Sequence, residues 1–249
     1  MKKVFSLILA LGLIASLTAC GGGNASGNET GDSAPAASTA KLRFVTGGES
    51  GTYYAFGGVL ASFVSGKSDC KVTALTSGGS QANVEDLTNG NVQLAFVQSD
   101  VMNYAYNGQR LFDSPVTGFS VVAQLYQEQV QIVTTNPDIK TVADLAGKKV
   151  SIGAAGSGVY FNAIDVLSAY DLKESDISAV YQSFGDSAES LKDGKIDAAF
   201  IVAGAPTTAI TDLATAGSVY LVSLDDSHVQ SLLAASPYYT AATIKAGTY

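Results

Sequence analysis

Tryptophan is absent from this chain of 249 residues, and histidine and cysteine are almost absent. The only histidine is His228, and the two cysteines are Cys20 and Cys70. So small a set cannot build a zinc site, and we predict neither a metal nor a cofactor. His228 lies in the polar helix start LDDSHVQ, where we expect an exposed residue and not a catalytic base. No serine occurs in a G-x-S-x-G motif, so the nucleophile elbow of the α/β-hydrolases is absent.

Positive charge is also scarce. The chain has 14 lysines and arginines against 22 aspartates and glutamates, giving a formal net charge of −8. Only Arg43 and Arg110 carry a guanidinium group. A surface of this sign repels polyanions, so nucleic acid is not expected as a partner.

The amino terminus indicates export. Two lysines precede the apolar run FSLILALGLIASL, which is too short for an ordinary membrane span and is typical of a signal peptide. The run ends in Leu17-Thr18-Ala19-Cys20, a lipobox-like sequence, so we predict a lipoprotein signal at 1–19 and lipidation of Cys20. A plain secretory signal with a chance cysteine is the alternative. We expect an extracytoplasmic protein anchored by lipid to the cell membrane, at its periplasmic side or outer face, with Cys70 as a lone thiol.

A Gly/Ser/Ala/Asn-rich segment over 20–40 is predicted to be a flexible tether. Strand-like and helix-like segments then alternate in two similar blocks, which favours an α/β fold with mostly parallel sheets. We predict a first lobe over 41–127, a second over 128–222, and a return into the first over 223–249. A ligand cleft is expected between the lobes.

Local signals set several boundaries. Ser80 is a candidate N-cap of a helix, and Gly90 and Gly194 are candidate helix stops. The segment FSVVAQLYQEQVQIVTT, at 119–135, reads as two strands with little between them. Cleft closure is expected to bend the chain near 128–133 and near 221–224.

Three glycine loops stand where a strand passes into a helix. They are the first glycine loop TGGESGTYY (46–54), the second LTSGGSQAN (75–83) and the third IGAAGSGVY (152–160). A helix start offers unpaired N–H groups and a partial positive charge, and glycine lets a ligand approach the backbone. The three loops together therefore predict a site for a small anion such as a carboxylate.

Catalysis and nucleotide binding fit the chain poorly. Gly156-Ser157-Gly158 lacks the third glycine of a dinucleotide fingerprint. Gly66-Lys67-Ser68 lacks the first glycine of a P-loop, since Ala61 stands there. Glu49 has no identifiable partner, so we predict a binding protein and not an enzyme. An anchored enzyme that uses Glu49 as acid or base is the alternative.

The segments TGGESGTYYAFGG, TSGGSQANVEDLTNGNVQLAFVQSD, AQLYQEQVQIV, TVADLAGKKVSIGAAGSG and LKDGKIDAAFIVAGAPTTAI resemble the TAXI family. These proteins are solute-binding receptors of TRAP transporters. The resemblance runs from 42 to 249 and implies a two-lobed type II periplasmic-binding-protein fold. It also implies membrane subunits driven by an ion gradient, typically Na⁺, and ligands such as glutamate, glutamine, 2-oxoglutarate or another dicarboxylate. A receptor of an ATP-driven (ABC) importer is the rival within the same class.

Two expectations follow from the resemblance. The family normally continues beyond KAGTY to complete the first lobe, so the chain is expected to be a fragment truncated at its carboxyl end. The ligand contacts are expected at loop and cleft-wall positions, with core packing as the alternative for Tyr53, Tyr54 and Tyr126. By position they are Thr46, Gly47, Ser50, Gly51, Thr52 and Tyr53, then Thr76, Ser77 and Gly78, then Gln98 and Tyr126, and finally Gly156, Ser157 and Gly158.

Overall fold

A computed structural model describes residues 39–249, so the predicted signal peptide, Cys20 and nearly all of the tether lie outside the described range. The strands are β1 (Ala40–Val45), β2 (Cys70–Leu75), β3 (Leu94–Ala95), β4 (Gln129–Thr134), β5 (Lys149–Ser151), β6 (Ser178–Val180), β7 (Ala198–Ala203) and β8 (Tyr220–Leu221). The helices are α1 (Thr52–Lys67), α2 (Ser80–Thr88), α3 (Ser99–Asn107), α4 (Val159–Ala169), α5 (Phe184–Lys192), α6 (Thr208–Ala216) and α7 (Asp226–Ala235). Short 3₁₀ helices span Val142–Leu145 and Glu174–Asp176. None of the helices in this range is long and apolar enough to cross a membrane.

The first lobe contains β1–β3 and α1–α3. Its strands lie in the order β2-β1-β3, and both pairings are parallel. Phe44, Ala61, Val72 and Phe96 form an apolar cluster between this sheet and α1. Because the strands are parallel, their carboxyl ends and the helix starts that follow lie along one edge.

The second lobe contains β4–β8 and α4–α6, with strands in the order β6-β5-β7-β4-β8. The strand β7 pairs parallel to β5 and antiparallel to β4, so this sheet is mixed. All six residues of β7, AAFIVA, are buried, as expected for a central strand covered on both faces. The ends of β5, β6 and β7 lead into α4, α5 and α6.

The prediction of two strands within 119–135 was wrong, because only β4 forms there. The apolar Val121 and Val122 that suggested a strand are 64% and 86% exposed. Residues 119–128 therefore cross between the lobes without regular structure.

The predicted helix stops are confirmed, but the N-cap assignment was wrong. Gly90 and Gly194 have φ angles of 71° and 66°, the left-handed conformation that ends a helix. Ser80 is the first helical residue and Gly79 is the cap, without a side-chain cap bond. The Ser80 hydroxyl instead accepts a hydrogen bond of 3.0 Å from the Gln98 amide, so it ties α2 to the start of α3.

Residues 223–249 pack mainly against the second lobe. Leu224 and Leu232 join its largest apolar cluster. His228 is half-buried and not exposed as expected, because its ring stacks on Tyr170 at a centroid distance of 3.7 Å. Tyr238 contacts the Tyr104 ring of the first lobe at a centroid distance of 6.5 Å, and the return of 223–249 into that lobe stays a prediction.

Asn83 holds the first glycine loop to the first lobe. This fully buried side chain donates from Nδ2 to the carbonyl oxygens of Thr46 and Phe96, each at 2.7 Å. Replacing Asn83→Ala leaves both buried carbonyls without this donor, and we expect a loss of about 2–5 kcal/mol in the free energy of unfolding.

Urea unfolding measures this loss of stability, provided that the free energy of unfolding has the same dependence on urea concentration in each variant. The control is Asn91→Ala, which removes an exposed side chain bonded only to Asp86 and should change stability by less than about 0.5 kcal/mol. Equal midpoints for the two variants would contradict the assigned role of Asn83.

Candidate ligand cleft

The first glycine loop contacts the second lobe directly. The Ser50 carbonyl accepts a hydrogen bond of 3.3 Å from the Ala209 amide in the first turn of α6. The Thr52 hydroxyl donates to the Gly204 carbonyl at 3.5 Å. A Cβ atom on Gly51 would lie 3.4 Å from the Phe184 ring, so glycine permits this close approach. The loop therefore faces the segments that precede α5 and α6.

The second and third glycine loops contact each other across the same interface. The Ala82 amide, in the first turn of α2, donates to the Gly156 carbonyl at 3.0 Å. A Cβ atom on Gly78 would lie 2.6 Å from the Ala155 carbonyl oxygen, and one on Gly79 would lie 3.1 Å from Ser157 Cα. All three glycine loops thus lie where the two lobes meet.

Helix starts supply the donors at this interface. The first-turn amides of α2 and α6 each donate to a carbonyl of the opposite lobe, at Gly156 and Ser50. Among residues 39–249, no acceptor faces the amides of Thr52 and Tyr53 in the first turn of α1. Such amides, together with the helix dipole, form a preorganised site for an anionic group.

Several predicted contact residues hold the loops in shape. Thr46 is fully buried and its hydroxyl donates to the Leu75 carbonyl at 2.8 Å. The Ser77 hydroxyl donates to the Thr46 carbonyl at 3.3 Å and accepts from the Gly79 amide at 3.2 Å. Thr76 is exposed. Both hydroxyl groups are therefore engaged within the first lobe.

Gln98 is bonded across the interface. Its Nε2 donates to Asn162 Oδ1 at 2.7 Å, and its Oε1 accepts from the Ser80 hydroxyl at 3.4 Å. Asn162 is buried on α4 and also donates to Asp100 Oδ2 and to the Tyr239 hydroxyl, each at 2.9 Å. Gln98 therefore connects the lobes. Asn162 could not be predicted as a site residue, because it lies inside a largely apolar helix.

An ion pair supports this contact at its outer side. Arg110 Nη2 lies 2.5 Å from Asp165 Oδ1, and the guanidinium carbon is 5.0 Å from the centre of the Tyr104 ring. The Tyr239 hydroxyl donates to the other oxygen of Asp165 at 2.8 Å. One of the two arginines thus joins the lobes and does not point into a glycine loop.

Two predicted tyrosines meet a carboxyl group at the crossing between the lobes. The Tyr53 hydroxyl donates to Glu128 Oε2 at 3.0 Å, and its ring stacks on Phe96 at 4.9 Å. The Tyr126 ring stands edge-on to Tyr53, at a centroid distance of 6.4 Å. The Tyr126 hydroxyl oxygen is buried and has no hydrogen-bond partner within the described residues. Tyr54, in contrast, is 36% exposed.

Burial dominates the electrostatics of this group. It raises the pKa of Glu128 to about 8, with the Tyr53 hydrogen bond lowering it and the charge of Asp100 raising it further. Burial and the Glu128 charge both raise the pKa of Tyr126, and the same two causes raise that of Tyr53. Glu128 was expected only as part of a bending segment, since a single glutamate between two glutamines carries no recognisable motif.

The structure also identifies second-lobe segments that sequence reasoning missed. Ser183 caps α5 by accepting from the Asp186 amide, and it lies opposite Gly48. Gly204 and Ala209, which flank the start of α6, contact the first glycine loop. The signal was present as a strand followed by a Gly-Ala-Pro-Thr-Thr segment, which has the same strand-to-helix position as the three predicted loops.

Known proteins share this architecture. The model of the NMT1-like family matches residues 44–249. The ligand-binding core of GluR0 from Nostoc punctiforme, in complex with L-glutamate, matches with a TM-score of 0.51 and 16% identity, covering 74% of this chain and 79% of that chain. The amino acid ABC transporter substrate-binding protein AbpA from Streptococcus pneumoniae, bound to L-arginine, matches with a TM-score of 0.51 and 17% identity, covering 74% and 76%.

Both matches are distant, at 16% and 17% identity with a TM-score of 0.51. Likeness at this level shows the fold, which is the two-lobed α/β type II periplasmic-binding-protein fold, and the predicted fold class is confirmed. The alkanesulfonate-binding protein SsuA from Xanthomonas axonopodis pv. citri, bound to MOPS, matches at 22% identity with a TM-score of 0.49. That match covers 76% of this chain and 62% of SsuA. This chain therefore spans less than two thirds of the length of SsuA.

Proposed function

The chain belongs to the NMT1-like family, and on that premise we propose that it is an extracytoplasmic solute-binding receptor and not an enzyme. One observation carries the proposal. Helix starts from both lobes meet at one interface, where Ala82 and Ala209 donate across it and the amides of Thr52 and Tyr53 have no acceptor within the described residues. Preorganised amides between two lobes suit a small anionic solute.

The finer assignment follows the resemblance to TAXI receptors. We propose that the receptor delivers a carboxylate or amino acid to TRAP membrane subunits driven by an ion gradient, and that Cys20 anchors it to the membrane. Neither lysine nor arginine occurs in the three glycine loops. Backbone amides and hydroxyl groups therefore take the part that a basic side chain plays in other anion sites.

The proposed mechanism is closure of the lobes around the solute. Residues 119–128 cross between the lobes, so we expect bending where this segment enters the second lobe, near 128–133. The glycine loops of the two lobes contact each other at the interface. A ligand held by groups of both lobes binds the closed form better, so it shifts the population toward that form. The closed receptor is then the species that membrane subunits recognise.

The two rival functions have separate tests. Glu49 is exposed, which favours a loop carboxylate over a catalytic acid or base, and Glu49→Gln should leave ligand affinity unchanged. The likeness to AbpA supports an ABC importer as the second candidate for the membrane partner. Uptake into vesicles that contain the membrane subunits separates the two candidates. A TRAP system needs an ion gradient, whereas an ABC importer needs ATP.

A ligand panel tests the receptor function itself. We expect one of L-glutamate, L-glutamine and 2-oxoglutarate to stabilise the purified chain, by about 2.7 kcal/mol at one hundred times its dissociation constant. Thermal unfolding detects this shift, and small-angle scattering should show a smaller radius of gyration in the same sample. No stabilisation by any small carboxylate or amino acid, or an unchanged radius at saturation, would contradict the proposal.

A further inference from the structure

Two acidic side chains at the interface between the lobes lack a basic partner. Residues 39–249 contain four ion pairs, which are Arg110–Asp165, Lys192–Glu189, Lys195–Asp193 and His228–Asp225. Glu128 and Asp100 belong to none of them. Glu128 receives only the Tyr53 hydrogen bond, and Asp100 is bonded by Asn162 and by the amide of Val101. A shielded carboxylate without a cation is costly, and such a group is kept where a ligand supplies the charge.

Glu128 lies beside the proposed anion site. Tyr53 belongs to the first turn of α1, so its backbone amide is one of the donors without an acceptor, while its hydroxyl holds Glu128. The buried Tyr126 hydroxyl, which has no partner in the described part of the chain, adds a further polar group next to Glu128. Donors for a carboxylate and acceptors for a cation therefore occur side by side.

We propose that Glu128 binds a positively charged amino group, so that the cleft selects an amino acid over the corresponding 2-oxo acid. The carboxylate of the ligand lies on the first-turn amides of α1, and its ammonium group lies against Glu128 and the Tyr126 oxygen. This assignment rests on the proposed receptor function and names its substrate class. It also distinguishes L-glutamate from 2-oxoglutarate, which the glycine loops alone do not.

Charge explains the preference. L-Glutamate and 2-oxoglutarate share both carboxylates and differ at the second carbon, which carries an ammonium group in one and a carbonyl oxygen in the other. The ammonium group makes charge-assisted hydrogen bonds to Glu128, whereas the carbonyl oxygen lies against a carboxyl group that the negative charge of Asp100 also reaches. We expect the amino acid to bind about tenfold more tightly or better.

Binding should also release a proton near neutral pH. The groups that face Glu128 are Tyr53 on α1, Asp100 on α3 and the neighbouring Tyr126, and none of them is cationic. With a pKa of about 8, much of Glu128 is protonated at pH 7 in the free protein. Because the ammonium group favours the ionised carboxylate, affinity for the amino acid should rise as the pH increases from 6 to 8. The stability of the free protein changes in the opposite direction. Because the pKa of Glu128 is raised in the folded state, the free energy of unfolding should fall as the pH increases from 6 to 8.

Titration calorimetry tests the proposal with L-glutamate and 2-oxoglutarate on the wild-type chain, Glu128→Gln and the control Glu49→Gln. We expect Glu128→Gln to lose about tenfold or more in affinity for L-glutamate, to keep 2-oxoglutarate binding within about threefold, and to lose the proton release. Glu49→Gln should match the wild type. Heats measured in buffers of different ionisation enthalpy report the released proton.

The possible outcomes distinguish failure of the Glu128 assignment from failure of the proposed receptor function. Equal wild-type affinities for the two ligands, or equal losses for both in Glu128→Gln, would overturn the assignment of Glu128 while the receptor function stands. Failure of the wild-type chain to bind either compound or any other amino acid would overturn the receptor function as well. Tyr126→Phe gives an independent check, because loss of its hydroxyl should weaken L-glutamate selectively without removing a charge.

Discussion

Gly78→Ala should lower ligand affinity by about ten- to a hundredfold while both lobes stay folded. The added Cβ atom would lie 2.6 Å from the Ala155 carbonyl oxygen of the opposite lobe. That oxygen belongs to the backbone and has no rotamer that relieves the overlap. Within the first lobe the nearest atom is Ala82 Cβ at 3.6 Å, an ordinary contact. The substitution therefore opposes closure and not folding.

Calorimetry and scattering together measure this effect. The radius of gyration of Gly78→Ala at high ligand concentration should stay near its ligand-free value, and its thermal midpoint without ligand should be close to that of the wild type. Gly66→Ala is the control, because a Cβ atom there meets nothing within 4 Å. Wild-type affinity in Gly78→Ala would show that the two loops do not approach each other in the ligand-bound form.

Two adjacent glycines in α1 should respond to alanine in opposite directions. A Cβ atom on Gly57 would lie 2.5 Å from Thr46 Cγ2 and 3.1 Å from the Phe96 ring. Thr46 cannot turn away without losing its hydrogen bond to Leu75, so we expect Gly57→Ala to cost about 1–3 kcal/mol of stability. A Cβ atom on Gly58 meets nothing within 4 Å, and Gly58→Ala should gain about 0.5–1 kcal/mol through helix propensity.

Each variant is therefore the control for the other, since the chemical change and the helix are the same. Urea unfolding should give a lower midpoint for Gly57→Ala and a higher one for Gly58→Ala. A shift of both midpoints in the same direction would contradict the packing of α1 against the first sheet. Ligand affinity should change little in Gly58→Ala, because a Cβ atom there approaches no residue of either lobe within 4 Å.

The position of the glycine loops was predictable because their signal is local. A strand, a run of small residues and a helix start follow one another in the sequence, and parallel strands bring such ends to one edge. The contacts that join the lobes are not local. Asn162, Asp100 and Gln98 meet only after both lobes have folded, and no spacing in the sequence relates them. Nor does any pattern show that the Thr46 hydroxyl is engaged within its own lobe.

The errors in the fold have a related cause. Val121 and Val122 suggested a strand by their type, but both are exposed and the segment that holds them pairs with no strand. In α1, Val59 and Phe63 are 67% and 63% exposed although both are apolar. Apolar character predicts burial on average, whereas the actual face is decided by which neighbours the rest of the fold supplies.

A crystal structure of the chain with L-glutamate, or with the tightest ligand of the panel, tests the central claim most directly. We expect the ligand between the lobes, with a carboxylate oxygen within about 3.2 Å of the Thr52 or Tyr53 amide nitrogen and an amino group beside Glu128. A ligand bound outside the interface, or one whose carboxylate is held while those amides face solvent, would contradict it.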